Sequence, residues 1–167
     1  CLLALDPGEN FRGRHVIDVG TGAGFPGVPL KIVCPGMRLT LLEATRKKVG
    51  FLEHVVDRLN LQDVTVIHGR AEELGQEPAH REQYDWALAR AVADLPILIE
   101  YLLPLVHVKG RALAQKGEGA PAEVQRSAWA LTQLGGEIRQ LVPVNLHGLA
   151  ETRYLVIVDK VAATPSK

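Results

Sequence analysis

One stretch, His15 to Val33 (HVIDVGTGAGFPGVPLKIV), limits what this chain can fold into more than any other. An apolar run ends at Asp18, a glycine-rich turn follows, and a second apolar run begins at Gly27. This order predicts a strand, a glycine turn and a helix. Glycine lets the backbone approach a ligand, and a helix start leaves amide N–H groups free to face a negative group. The stretch therefore predicts a site for a nucleotide, or for a molecule that carries one.

The spacing of the glycines distinguishes between nucleotide ligands. The dinucleotide fingerprint G-x-G-x-x-G places its third glycine five positions after the first, where this chain has a phenylalanine. The third glycine comes one residue early, and Pro26 removes a backbone donor that a pyrophosphate could use. Both features disfavour NAD and FAD and favour S-adenosylmethionine, which carries a carboxylate but no phosphate; a glycine turn without a ligand is the alternative. The residues predicted to bind the cofactor here are Asp18, Gly20, Gly22, Gly24 and Phe25.

Length and composition narrow the class of protein. The 167 residues suit one domain, and the 19 basic and 19 acidic side chains balance, so RNA could be held only by a local basic patch. The two cysteines and six histidines lack metal-ligand spacing, and no apolar run approaches the roughly 20 residues of a membrane span. We predict a cytoplasmic monomer without metal or membrane contact. Because the first residue is cysteine and not methionine, we expect a fragment or a processed product.

The apolar runs predict an α/β fold with a doubly wound, mostly parallel seven-stranded sheet. Five strands alternate with helices, and the last two have no helix between them, so the final strand should turn back antiparallel. This is the usual architecture of class I, Rossmann-like S-adenosylmethionine-dependent methyltransferases. The small, polar residues 161–167 are expected to form a frayed tail. The strands are predicted at residues 15–18, 38–42, 64–68, 84–89, 111–114, 137–144 and 154–158.

Charged residues follow several predicted strands, at the edge where an open α/β sheet binds its ligand. Glu43 stands 23 positions after Gly20, close to the ~20 expected of an acid that binds a ribose hydroxyl pair. The polar residues Arg70, Ala71 and Glu72 would face the adenine. A single cation at a strand end is commonly a structural ion pair, but Arg70, Arg90 and Lys116 end three different strands and would surround one crevice.

A second basic group begins the helix after Glu43. Arg46, Lys47 and Lys48 oppose the helix macrodipole. A sequence that keeps three cations at this position is predicted to use them on phosphates, and a solvated charge run is the alternative.

Two motifs that the sequence lacks indicate which kind of atom accepts the methyl group. Neither an Asp/Asn-Pro-Pro-aromatic motif after the fourth strand nor a cysteine nucleophile is present. Arg90 stands after that strand and cannot act as a base. An acceptor that needs no base must own a free lone pair, as guanine N7 does. Arg90 and Lys116 are therefore the predicted catalytic residues, which would bind guanine O6 or a phosphate.

Five motifs of the chain resemble the bacterial small-subunit ribosomal RNA methyltransferase G family (RsmG, also called GidB). They are DVGTGAGFPGVPLKIV, ATRKKVGFL, GRAEE, ARAVA and QKGE, within roughly residues 16–160. The resemblance implies methyl transfer from S-adenosylmethionine to N7 of a guanine in 16S rRNA, either free or in the small ribosomal subunit. It places cofactor contacts on Gly20, Phe25, Ala71, Glu72 and Arg90, and RNA contacts on Arg46, Lys47, Arg70 and Lys116.

The chain departs from this family at its beginning. Members usually start with a helical region of several dozen residues, of which residues 1–14 would be the remnant. The sequence also allows three other functions. They are a nicotinamide-dependent oxidoreductase, a small-molecule methyltransferase, and a non-catalytic RNA-binding module on the same fold.

Overall fold

The structure, a computed structural model, describes residues 11–145 and 151–166. Within these ranges the strands are β1 (His15–Val19), β2 (Arg38–Glu43), β3 (Val64–His68), β4 (Tyr84–Arg90), β5 (Val106–Lys116), β6 (Gly136–Val144) and β7 (Arg153–Lys160). They form one seven-stranded sheet in the order β3-β2-β1-β4-β5-β7-β6. The helices of the same ranges are α1 (Gly27–Val33), α2 (Arg46–Arg58), α3 (Ala71–Leu74), α4 (Leu95–Leu102), α5 (Ala120–Arg126) and α6 (Ala128–Leu134).

The directions of the strands agree with the prediction. β1 pairs in parallel with β2 and β4, β2 with β3, and β4 with β5. β7 lies between β5 and β6 and is antiparallel to both, so the predicted antiparallel final strand is confirmed. The chain winds from β1 to β2 and β3 on one side and continues through β4 on the other, which leaves a ligand crevice at the carboxyl ends of β1 and β4.

Helices cover both faces of the sheet because its central strands are apolar on both sides. Val16 belongs to the cluster that includes residues of α1 and α2, whereas its neighbour Ile17 belongs to the cluster that includes residues of α3, α4 and α6. Successive side chains of a strand point to opposite faces, and a parallel strand buried on both faces therefore reads as a continuous apolar run. This is why the strands could be recognised in the sequence.

Two helical segments differ from the prediction. The residues after β3 form the short helix α3, where the sequence predicted only a polar loop. The sequence also predicts a single helix that begins at Pro121 and ends at Gly135-Gly136. The structure divides it in two at Ser127, which is buried and donates a hydrogen bond from its hydroxyl to Glu123 O at 2.8 Å.

Residues 161–164 are packed against the domain, whereas the sequence predicted a frayed tail over 161–167. The amides of Val161 and Ala162 donate to Gly135 O at 2.8 and 3.2 Å. The Thr164 amide donates to Glu82 Oε1 at 2.8 Å, and the Thr164 side chain donates to Leu134 O at 2.9 Å. Small polar residues suggested fraying because composition alone cannot reveal partners that lie far away in the sequence.

The sequence also predicts the end of a helix at Cys1 to Leu5 and a loop around His147-Gly148, and both lie outside the described residues. In the described ranges, no helix combines the length and the apolar character needed to cross a membrane.

Candidate functional site

Asp18 supports the glycine turn from behind. Its Oδ2 atom accepts hydrogen bonds from the Thr21 hydroxyl at 2.6 Å and from the Gly27 amide at 2.8 Å. The side chain is fully buried, and a Cβ at position 27 would lie only 2.9 Å from Oδ2. Asp18 was predicted to bind the cofactor; the structure places it behind the turn, where it ties the end of β1 to the start of α1.

Burial raises the pKa of Asp18 to about 7, although hydrogen bonds from Thr21 and Gly27 and the charge of Arg90 act in the opposite direction. In an unfolded chain this pKa is about 3.9. The folded protein therefore binds the extra proton between about pH 4 and pH 7, and its free energy of unfolding should fall as the pH rises through this window. The slope is at most about 1.4 kcal/mol per pH unit.

Asp18→Asn is expected to remove this dependence. The amide oxygen of the asparagine can take the place of Oδ2. Its amide nitrogen can take the place of Oδ1, because Oδ1 is buried and has no hydrogen-bond partner among the described residues. Urea unfolding at several values between pH 4 and pH 8 should show a flatter profile and a variant more stable than the wild type at pH 8. Asp57→Asn, on the exposed side of α2, is the control and should keep the slope. An unchanged profile in Asp18→Asn would contradict the assignment.

The front of the turn is open at Gly22. This glycine has a φ of +63°, and a Cβ added there would meet nothing within 4 Å. Its amide donates to Glu43 Oε2 at 3.0 Å, while the Thr45 amide donates to Oε1 of the same carboxylate at 2.8 Å. Glu43 therefore joins the turn to the start of α2. Gly24 instead faces α1, because a Cβ there would lie 2.7 Å from Val28 Cγ2.

The Glu43 carboxylate keeps its charge at neutral pH. Burial acts to raise its pKa, but hydrogen bonds from Thr45 and Gly22 and the charge of Lys48 hold the pKa below its ordinary value. Each carboxylate oxygen can accept two hydrogen bonds and uses one on an amide. The remaining lone pairs suit a pair of ribose hydroxyls.

The residues after β4 fold over the turn. The Arg90 guanidinium carbon lies 5.7 Å from the centroid of the Phe25 ring, a cation–π arrangement. Ala91 has a φ of +54°, unusual for a residue with a Cβ, and the chain then brings Val92 Cγ2 to 2.8 Å from the position of a Cβ on Gly20. A side chain at position 20 would require a φ of +64° and a shift of Val92, so glycine is favoured there. Sequence reasoning missed Val92, whose one signal was the Arg-Ala-Val-Ala motif.

Lys116 lies beneath the loop that follows Arg90. Its Nζ atom donates to Ala93 O at 2.8 Å and forms an ion pair with Glu123 Oε2 at 2.7 Å. The same Glu123 oxygen accepts the Leu95 amide at 2.7 Å. The predicted catalytic lysine is thus neutralised by Glu123, a partner that the sequence did not suggest, and fastens this loop to β5 and α5.

The residues after β3 lie beside Glu43, because the Gly69 amide donates to Glu43 O at 3.1 Å. Ala71 begins α3 and is buried, whereas the Glu72 side chain is exposed and pairs with Arg70 Nη1 at 3.7 Å. This surface pair leaves Arg70 largely in solvent, and such pairs contribute little to stability.

Exposed cations lie at the carboxyl edge of the sheet, and four of them are residues that the sequence predicted to contact the cofactor or RNA. Arg46 and Lys47 begin α2, Arg70 precedes α3, and Arg90 ends β4. We call these four residues the basic mouth. In the described ranges, no group of three or more His, Cys, Asp or Glu side chains could hold a metal ion.

A family model described as rRNA small subunit methyltransferase G (GidB) matches residues 1–150. A ribosomal RNA small subunit methyltransferase G from Alkaliphilus metalliredigens is 50% identical over 152 residues, which cover 91% of this chain and 64% of the relative. The protein of the same description from Roseiflexus castenholzii is 51% identical over 152 residues, with the same shares of 91% and 64%. The chain thus spans 64% of the length of these curated relatives.

Solved structures share the fold at low sequence identity. TrmN from Thermus thermophilus is 18% identical with a TM-score of 0.71, covering 95% of this chain and 47% of that protein. An rRNA methylase from Streptococcus thermophilus is 17% identical with a TM-score of 0.67, covering 96% and 95%. A variant of MtNAS in complex with S-adenosylmethionine is 21% identical with a TM-score of 0.70, covering 96% and 61%. The predicted class I methyltransferase fold is confirmed, and the family match together with the half-identical relatives shows that this chain belongs to the rRNA small subunit methyltransferase G family.

Proposed function

We propose that this chain binds S-adenosylmethionine and transfers its methyl group to N7 of a guanine in 16S rRNA. The observation that carries the proposal is the ionised Glu43 carboxylate at the open face of Gly22, beside a Phe25–Arg90 pair and basic side chains. The names of the relatives, which refer to the small-subunit ribosomal RNA, support the substrate class.

The crevice suits S-adenosylmethionine, which when bound supplies an electrophilic methyl group on a sulfonium sulfur. Glu43 would accept hydrogen bonds from both ribose hydroxyls, and the residues at Ala71 and Glu72 would border the adenine. The turn at Gly20 and Gly22 would face the amino-acid end. Asp18 would act by holding this turn in place, since its own carboxylate is buried.

The side chains near the mouth favour an acceptor that requires no proton removal. Arg90 stays protonated and cannot serve as a base, and Glu72 is exposed and paired with Arg70. Guanine N7 offers a lone pair, and O6 beside it is an acceptor that a guanidinium can bind. We propose that Arg90 donates to O6 and leaves N7 free, so that catalysis consists mainly of positioning, an effect worth up to ~7–11 kcal/mol.

The basic mouth would hold the RNA backbone around this guanine through Arg46, Lys47 and Arg70. Lys116 would contribute through the loop that it fastens, because its charge is already paired with Glu123. The partner would be 16S rRNA or the small ribosomal subunit, met in the cytoplasm by a monomer.

Labelled methyl transfer tests the proposal directly. Calorimetry should detect binding of S-adenosylmethionine and S-adenosylhomocysteine. The labelled methyl group should enter small-subunit particles or naked 16S rRNA that lack the modification, and mass mapping should identify the product as N7-methylguanine. Binding of the cofactor without turnover on either RNA would favour the non-catalytic module instead. Turnover on small molecules alone would favour a small-molecule methyltransferase.

Arg90→Lys is expected to lower the second-order rate of methyl transfer by about tenfold or more. The lysine keeps the charge, but it loses the planar fork that can lie on Phe25 and bind O6 in a fixed direction. Single-turnover transfer to 16S rRNA would measure the loss. Arg58→Lys, at the exposed end of α2, is the matched control and should transfer at the wild-type rate. Equal rates in both variants would remove Arg90 from the proposed machinery.

A further inference from the structure

The opposite edge of the sheet carries a second group of basic side chains. A cavity of about 320 Å³ lies at the amino ends of the central strands, and we call it the amino-edge cavity. Asp85 is the one carboxylate among its lining residues. The cavity is lined by Arg14, Asp85, Trp86, His107, Lys109, Gly110 and Arg111.

A β-bulge builds one wall of this cavity. β4 pairs with β5 at Tyr84 opposite Val106 and next at Trp86 opposite Arg111, so residues 107–110 leave the ladder. A Cβ on Gly110 would lie 2.8 Å from Asp85 O and 2.7 Å from Val106 Cγ1, which shows how tightly the bulge is closed. Bulges commonly re-aim a side chain, and this one turns residues of β5 toward the cavity.

Lys109 stands in this bulge with an unfavourable backbone. Its φ is +77°, a strained region that residues with a Cβ rarely occupy. Among the described residues, no carboxylate oxygen lies within 4.0 Å of the exposed Lys109 ammonium. The fold therefore holds a strained, unpaired lysine at the rim of a charged cavity.

The acidic groups of this region are already engaged. Asp85 accepts hydrogen bonds from the His15 amide at 2.8 Å and from Arg14 Nη1 at 3.2 Å, and its Oδ1 atom lies 3.3 Å from His107 Nε2. Burial acts to raise the pKa of Asp85, but these contacts hold it below its ordinary value, so the carboxylate is ionised and already has a partner on each oxygen.

Arg111 retains free donors toward the cavity. Its guanidinium carbon lies 5.4 Å from the Trp86 ring centroid, and its Nε donates to Asp159 Oδ1 at 3.1 Å, while Asp159 Oδ2 accepts from Arg139. Among the lining residues, one carboxylate, Asp85, thus stands with three cations, Arg14, Lys109 and Arg111. In a chain with no net charge, this local excess of positive charge favours the binding of an anion.

We infer that the amino-edge cavity binds a phosphate of the RNA backbone, at a second contact remote from the basic mouth. The inference rests on the proposed function. β1 has five residues, so the two edges are about 17 Å apart at a rise of ~3.3 Å per residue. Because helices cover both faces of the sheet, an RNA segment held at the mouth has to pass around the domain to reach the other edge. A folded RNA or an assembled particle can present two backbone segments, and this is the substrate class to which the cavity points.

Lys109→Gly tests the inference without endangering the fold, because glycine adopts the positive φ of this position readily. Anisotropy titrations with folded 16S rRNA at several salt concentrations should show weaker binding by roughly three- to tenfold, and a slope of log K against log salt that is smaller by about 1. Lys109→Arg should restore both values, and S-adenosylmethionine affinity should not change. Arg58→Gly removes the same charge elsewhere and should leave the salt slope at the wild-type value.

The outcomes separate this inference from the proposed function. Unchanged RNA affinity and salt slope in Lys109→Gly, in a protein that still methylates 16S rRNA, would overturn the inference alone. A protein that binds no RNA would overturn both. The third experiment is a titration with inorganic phosphate. Binding of millimolar phosphate in the cavity, together with an unchanged RNA salt slope in Lys109→Gly, would indicate a site for a free anion. This result would also contradict the inference.

Discussion

Gly135→Ala should lower the free energy of unfolding by about 2–5 kcal/mol. Gly135 has a φ of +72°, and an added Cβ would lie only 2.2 Å from Ala162 O, a backbone atom that cannot rotate away. The left-handed conformation contributes about 1–2 kcal/mol and the overlap about 1–3 kcal/mol. Relief of the overlap would require the segment at 161–162 to leave Gly135 O, which accepts both of its amides.

Gly50→Ala provides the matched control for this prediction. Gly50 lies within α2, where an added Cβ meets nothing within 4 Å. The same chemical change should therefore stabilise the protein by about 0.5–1 kcal/mol, because alanine is the better helix former. Urea unfolding of both variants at one pH would measure the difference. Equal shifts in the two variants would contradict the assigned role of the packed tail.

Glu43→Gln should weaken binding of S-adenosylmethionine by about tenfold to a hundredfold. The carboxylate accepts one amide on each oxygen, from Gly22 and from Thr45. A glutamine has only one acceptor oxygen, so its NH₂ group must face one of these N–H groups, and the charge for the ribose hydroxyls is lost. A hydrogen bond to a charged group is worth about 1.5–3 kcal/mol.

Titration calorimetry with S-adenosylmethionine and S-adenosylhomocysteine would measure this loss. Glu53→Gln, an exposed change of the same kind on α2, should bind both ligands as the wild type does. If Glu43→Gln bound them equally well, Glu43 would have no part in the site.

Much of the fold could be predicted because its signals are local. The buried strands are continuous apolar runs, and the glycine turn follows β1 directly, so Gly20, Gly22 and Glu43 could be assigned to one crevice from their spacing. The antiparallel β7 followed from the absence of a helix before it. These are properties of neighbouring residues.

The contacts that the sequence did not reveal join residues that are far apart or depend on side-chain direction. Asp18 ends the first apolar run, but the alternation of β1 places it on the face of Val16, toward α1, and not at the open crevice. Lys116 meets Glu123, which belongs to a helix rather than to a strand end. The docked tail uses Glu82, whose distance in sequence hid the contact.

β6 is the outermost strand on its side of the sheet, and its composition affects whether the protein aggregates through this strand. It carries Glu137 and Arg139, a break in register between Ile138 and Gln140, and Pro143, which has no N–H to offer. Charges, bulges and proline are the means by which natural sheets prevent a neighbouring molecule from adding its own strand. At high protein concentration, copies of this chain are therefore protected, along this border, from joining into an extended intermolecular sheet.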